Sequence, residues 1–203
     1  MWNEETMGIM KKYSYADYLK WSDAERWEII DGVPYDMSPA PGTNHQTISM
    51  YLSAKIWNFL KGKPCRVFAA PFDVRLPGKE KDNEKIFTVV QPDLVVLCAA
   101  GNNKKSLSER IDEKGCIGAP DVVIEILSGS TAYKNESDKL RLYEKHGVKE
   151  YWIINPSACY VMIYRLENEF YRKPEYLLKT DILQSRVVNG LEIDIGELFA
   201  EVE

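Results

Sequence analysis

The pattern of apolar and polar positions first picks out an amphipathic helix over residues 45–61. Ile48, Leu52, Ile56 and Phe59/Leu60 recur at helical spacing, Asn44 stands where a cap is needed, and Gly62 ends the run. Upstream, Tyr18, Leu19 and Trp21 give one apolar side to a short helix over residues 15–25, capped by Ser14. Residues 27–37 read as two extended pieces around Asp31-Gly32, a pair suited to the left-handed positions of a tight hairpin turn. Pro39, Pro41 and Gly42 then make a loop. Downstream, residues 67–76 predict a strand, 77–85 a charged loop, and 87–90 the approach to a strand over 92–97. Pro92 suits a first strand position, which can do without a ladder donor.

Residues 101–118 predict a long polar loop with room for a short helix. Pro120-Asp-Val-Val-Ile-Glu-Ile-Leu127 is a β-branched apolar run, the pattern of a strand buried on both faces. A helix follows over 135–146, closed by Gly147, and then a buried strand over 151–154, stopped by Asn155-Pro156. Residues 160–165, 169–172 and 191–195 alternate as antiparallel strands do. The order predicts a mixed β-sheet flanked by helices, α/β or α+β in class, with a β-rich C-terminal extension. No linker or repeat divides it, so one domain over residues 1–203 is expected.

Composition changes this picture little. No apolar run approaches the roughly 18 residues that a membrane-spanning helix needs, and residues 1–12 lack the basic and apolar blocks of a secretory signal, so a cytoplasmic location is expected. Cys65, Cys98, Cys116 and Cys159 form no CxxC pair, which argues against structural zinc, and a cytoplasmic setting argues against disulfides. The net charge of −5 is unfavourable for a nucleic-acid partner, but the acidity is terminal. Residues 1–36 carry eight acids against four bases and 181–203 six against one, whereas 134–149 carry five bases against three acids. The middle of the chain can therefore face a phosphate backbone.

Two acids are out of place. Glu125 interrupts an otherwise continuous hydrophobic strand, where an ionised carboxylate is costly unless paired, protonated or metal-bound. Asp93 heads the apolar run Leu94-Val-Val-Leu97. An ion pair with a helix cation would account for Glu125, and a turn cap for Asp93. Two converging carboxylates repel each other, however, and a hard divalent cation resolves that repulsion.

Pro92-Asp93 followed by a strand bearing Glu125 resembles the PD-(D/E)XK nuclease superfamily, and the wording of the chain is similar to the Uma family of restriction-endonuclease-like proteins. The likeness is carried by Trp27-Glu-Ile-Ile-Asp-Gly32, the helix opening at His45, Gln91-Pro-Asp-Leu-Val-Val96, Gly118-Ala-Pro-Asp-Val-Val-Ile-Glu-Ile-Leu-Ser128, Lys139-Leu-Arg-Leu-Tyr143 and Gly147-Val-Lys-Glu-Tyr-Trp-Ile-Ile154. The resemblance implies a restriction-endonuclease-like fold and a Mg²⁺- or Mn²⁺-dependent endodeoxyribonuclease, with DNA as partner and Asp93 and Glu125 as metal ligands. The superfamily's lysine two residues after the acid is missing, since Leu127 stands there. Lys139, on the next helix, is the substitute, its long stem able to reach back to the acids.

Glu28 and His45 complete the candidate catalytic set, Glu28 as a further acid and His45 as a phosphate contact or ligand-orienting group. Asp73 is expected near Asp93 or facing solvent, Asp121 to serve the start of the Glu125 strand, Asp138 to lie at the surface, and Tyr143, Tyr151 and Trp152 to be core aromatics. Asp93, Glu125 and the Ile126 carbonyl would hold the metal, and Lys139 would act on the attacking water or the phosphate. The rivals are a catalytically silent nuclease-fold protein that binds nucleic acid or a protein partner, and an enzyme acting on another phosphoester. A homodimer through the C-terminal third would suit duplex cleavage. Loops 77–85 and 101–118 are the places for any specificity.

Overall fold

The computed structural model describes residues 11–22, 25–37, 41–78, 80–99, 107–128, 132–200 and 202. Its centre is the apolar strand β8 (Val122–Ile126), which pairs antiparallel with β6 (Leu94–Cys98) and parallel with β9 (Glu150–Asn155). Two parallel neighbours require a crossover, and α4 (Ala132–His146) supplies it, ended by Gly147 at φ +80°. The sheet grows outward through β3 (Cys65–Ala69) beside β6 on one side. On the other it adds β10 (Tyr160–Glu167), which also carries β11 (Phe170–Tyr171) and β12 (Glu175–Leu177).

Alternation along these strands builds two cores. Leu94, Val96, Val122, Ile124, Ile126, Trp152 and Ile154 point to one face and pack on α2 (Thr43–Leu60) through Ile48, Leu52, Ile56 and Leu60, all buried. The small sheet of β13 (Ile182–Gln184) and β14 (Glu192–Asp194) and the helix α5 (Ile195–Phe199) close that side. Val95, Leu97, Val123, Tyr151 and Ile153 point the other way, against Leu142 and Tyr143 of α4. A second sheet, in the order β2-β1-β5-β4-β7, is formed by β1 (Trp27–Ile30), β2 (Val33–Asp36), β4 (Asp73–Arg75), β5 (Val89–Val90) and β7 (Gly115–Ile117). β1 and β2 are the hairpin turned by Asp31 and Gly32, at φ +50° and +89°.

Several expectations shift. The first helix is only α1 (Tyr15–Tyr18): Ser14 caps it reciprocally with Asp17, but Trp21 packs edge-on to Tyr13, Tyr18 and Trp27 instead of prolonging the helix. Gly42, not Asn44, is the N-cap of α2, and the Asn44 amide donates to the Val202 carbonyl. The strand expected over 67–76 is two strands in two sheets, because Pro71 has no N–H to continue the ladder. The long loop 101–118 contains both the short helix α3 (Leu107–Arg110) and β7, its first residues lying outside the described ones. Tail residues 191–195 divide between β14 and α5.

The expectation of unpaired thiols is also corrected. Cys65 and Cys98 are direct partners across β3 and β6 and form a disulfide, with Cα atoms 3.9 Å apart. They are 33 residues apart in sequence, so only the strand pairing brings them together.

Candidate active site

The register of β6 on β8 pairs Leu94 with Ile124 and Val95 with Val123; one step further, Asp93 stands opposite Glu125. Glu125 follows Val123 onto the face where α4 packs, while Asp93, just ahead of β6, sits at the same end of the sheet. Asp93 is fixed by the strand beside it, its Oδ2 accepting from the Ile126 N–H at 2.7 Å. Its Oδ1 lies 3.0 Å from His45 Nε2, presented from the first turn of α2. His45 is buried, and its Nδ1 makes no hydrogen bond among the described residues.

Glu125 receives both of its bonds on Oε1, from Lys139 Nζ at 2.9 Å and from the Tyr143 hydroxyl at 2.8 Å. Lys139 and Tyr143 are one helical turn apart on α4, so a single helix face delivers both. The Lys139 ammonium also donates to Glu28 Oε1 at 3.0 Å, and the backbone N–H of Gln91 donates to the same oxygen at 2.9 Å. These side chains are sequestered: Glu28 is 6% exposed, Lys139 12% and Glu125 13%.

Two carboxylates, Glu28 and Glu125, thus share one ammonium, with Asp93 close enough to Glu125 to act on its charge. Burial pushes the Glu125 carboxyl up to about 7. Lys139 opposes that shift, while the charges of Asp93 and Glu28 reinforce it. Burial works against the charge of Lys139, but Glu125 and Glu28 outweigh it and hold the ammonium above its usual range. Burial and then Glu125 raise the Tyr143 hydroxyl well above its ordinary value, so it stays a donor.

All five candidate residues, Asp93, Glu125, Lys139, Glu28 and His45, come together at this one place. The alternative for Asp93 as a turn cap is not what is seen, although Glu125 does make the ion pair that its burial demands. Tyr143 is a core aromatic as expected, but its hydroxyl is part of the cluster; its spacing of four from Lys139 was the signal. Gln91, known from the sequence only as the head of its motif, is a second anchor. Its side-chain amide donates to Asp73 Oδ1 at 2.9 Å and its carbonyl accepts from Arg26. Asp73 is buried in the second sheet and bound by the Tyr15 and Tyr18 hydroxyls, neither beside Asp93 nor facing solvent. Asp121 holds the start of β8, accepting from the Cys98 N–H and pairing with Arg110 and Lys149. Asp138 is exposed.

The pattern of the Uma2 family, described as "Putative restriction endonuclease", matches residues 15–196. The chain belongs to the Uma2 family. An uncharacterized protein of Synechocystis is 26% identical to this Uma2 chain over 161 residues, spanning 78% of it and 76% of the relative. A crystal structure of a protein from Anabaena variabilis, described as a putative nuclease belonging to DUF820, superposes with a TM-score of 0.72 at 21% identity. It covers 94% of this chain and 99% of its own. At that identity the likeness speaks for the fold, which is the nuclease-like mixed sheet expected from the sequence. The link to nuclease chemistry comes from the family and its description.

Whether this site suits a divalent cation is a matter of its donors. No group of three or more His, Cys, Asp or Glu among the described residues is arranged as a metal cage. Two opposed carboxylates without a protein cage suit a cation that keeps most of its waters, as Mg²⁺ does, and do not suit zinc. Burial first, and the charges of Asp93 and Glu28 after it, raise the proton affinity of Glu125 despite Lys139. The donor set fits Mg²⁺ or Mn²⁺.

Proposed function

We propose that this protein is a Mg²⁺- or Mn²⁺-dependent nuclease that hydrolyses phosphodiester bonds of nucleic acid, with DNA as its substrate. The observation that carries the reading is the pairing of Asp93 with Glu125 at the end of β6 and β8, closed by Lys139. When bound, the cation supplies charge neutralisation at the scissile phosphate and an acidified water.

Each residue has a task that its contacts define. Asp93 and Glu125, with the Ile126 carbonyl, hold the cation. The Ile126 N–H and His45 fix the rotamer of Asp93, and Tyr143 fixes that of Glu125. Lys139 stays protonated between Glu28 and Glu125, from where its ammonium orients the attacking water or meets the charge that builds on a phosphate oxygen. Glu28, itself anchored by the Gln91 N–H, positions Lys139.

One observation favours a second reading. Lys139 already satisfies Glu125 without any cation, which is what a silent nuclease fold that only binds nucleic acid or a protein would need. The test is cleavage of single-stranded, duplex and branched DNA and of RNA, with Mg²⁺, Mn²⁺ or EDTA. Metal-dependent products that vanish in Asp93→Ala and Glu125→Ala support hydrolysis. Full activity in either variant overturns the assignment, and binding without cleavage selects the second reading.

A further inference from the structure

The chain carries 31 acids, yet residues 37–72 contain none, while Lys55, Lys61, Lys63 and Arg66 fall within that stretch. In the fold this stretch contains α2 and β3, and β3 is the terminal strand of the larger sheet. Lys55 is committed to Glu197. Lys61, Lys63 and Arg66 pair with no acid among the described residues. Lys61 donates to Asn58, and Lys63 sits 3.1 Å above the Phe59 ring.

These three cations surround a recess that wraps the open edge of β3, with Trp57 and Phe68 among its walls and no acid among the described residues that line it. Trp57 is 57% exposed, which is unusual for so large an apolar ring. Among the described residues, the edge itself has unused hydrogen-bonding capacity. Pro64 and Ala70 bond inward to Ala99 and Asp93, and by alternation the N–H groups of Cys65, Val67 and Ala69 face outward. The strand also points at the acids: Ala69 pairs with Leu94, and the Ala70 N–H donates to the Asp93 carbonyl at 2.9 Å. Phe68 lies opposite Val95, two residues along the chain from Asp93.

We propose that the edge of β3 is a track for single-stranded nucleic acid leading to Asp93 and Glu125. Lys61, Lys63 and Arg66 face its phosphates, and Trp57 stacks on a base. Charge complementarity selects this occupant. An acid-free surface on a chain of net charge −5 suits a polyanion, whereas a second copy docking edge to edge would bring like charges together. An exposed aromatic beside cations is the combination used to hold unpaired bases. The inference takes its occupant from the nuclease reading, but its binding test does not depend on cleavage.

The measurement is fluorescence anisotropy of a labelled single-stranded oligonucleotide in EDTA over a range of salt, with self-association followed by sedimentation. The triple variant Lys61→Ala, Lys63→Ala, Arg66→Ala should bind at least about tenfold more weakly. Its log–log salt slope should fall by about two, three phosphate contacts at roughly 0.7 each. Trp57→Ala should bind roughly fivefold or more weakly at an unchanged slope. All four side chains are at the surface, and unchanged melting curves confirm that the variants fold. Wild-type affinity and slope in the triple variant overturn the track, as does a gain of self-association with binding intact, which would make these cations guards of the sheet edge. A wild-type protein that binds no oligonucleotide overturns it too. If binding falls as expected but wild type cleaves nothing with metal present, the track stands and the hydrolytic reading falls. If the variants bind normally and wild type cleaves, the reverse holds.

Discussion

Replacing Glu125 by Gln should stabilise the metal-free protein above neutral pH, although it removes the central acid of the site. Gln keeps the shape and an oxygen that accepts from Lys139 and Tyr143. It removes a charge that burial and the neighbouring carboxylates disfavour. The Glu125 carboxyl has its pKa raised from 4.5 to about 7 in the folded protein. The folded state therefore binds more protons than the unfolded one between these values. The stability this gives is fully present below about 4.5 and is lost as pH rises through 7. About two and a half pH units at about 1.36 kcal/mol each come to about 3 kcal/mol. In urea denaturation with EDTA present, the stability difference between Glu125→Gln and wild type should move by about this much in favour of Gln between pH 4.5 and pH 8. Added Mg²⁺ should return part of it to wild type alone, since a ligand of the native state stabilises in proportion to its occupancy. Parallel stability curves for the two proteins across that range would refute the reasoning.

Three further outcomes follow from the same contacts. Lys139→Met should cost about 3–5 kcal/mol in denaturation at pH 8, because it leaves Glu28 and Glu125 buried without their shared cation. The loss should shrink at pH 5; a pH-independent effect would mean that packing, not charge, is responsible. Tyr143→Phe removes one hydrogen bond to a carboxylate, about 1.5–3 kcal/mol, and should raise the Glu125 carboxyl further, visible by NMR titration of that side chain. Cys65→Ser should lower stability by about 4 kcal/mol under oxidising conditions, from the chain entropy of a loop of 33 residues. A reducing agent should lower wild type to the same level, and identical melting of the oxidised proteins would deny the bridge.

Glu125 was legible in the sequence because its physics is local: a carboxylate inside Val-Val-Ile-Glu-Ile is anomalous before anything else is known. Asp93 was legible as its partner, since the apolar runs that follow Pro92 and precede Leu127 are neighbouring strands. Lys139 came from the family resemblance, which offers a lysine on the following helix; Tyr143 was read as a core aromatic, and the role of its hydroxyl depended on a contact across 18 residues that such a pattern conceals. Residues joined only by tertiary pairing were out of reach. Gln91 looks like a polar strand residue until its N–H is seen on Glu28. Cys65 and Cys98 look unrelated until β3 lies on β6. Asp73 was misread because its donors, Tyr15 and Tyr18, come from more than fifty residues away. The strand break at Pro71 was written in the sequence, where a proline inside a strand pattern already argues against continuity.

The central claim is that Asp93 and Glu125 form one cation site, and isothermal titration calorimetry with Mn²⁺ tests it most directly. Wild type should bind at pH 8 and take the ion up more weakly near pH 6, where Glu125 holds its proton. The Asp93→Asn, Glu125→Gln double variant, folded by circular dichroism, should show no heat of binding. Unchanged Mn²⁺ affinity in that variant would contradict the account.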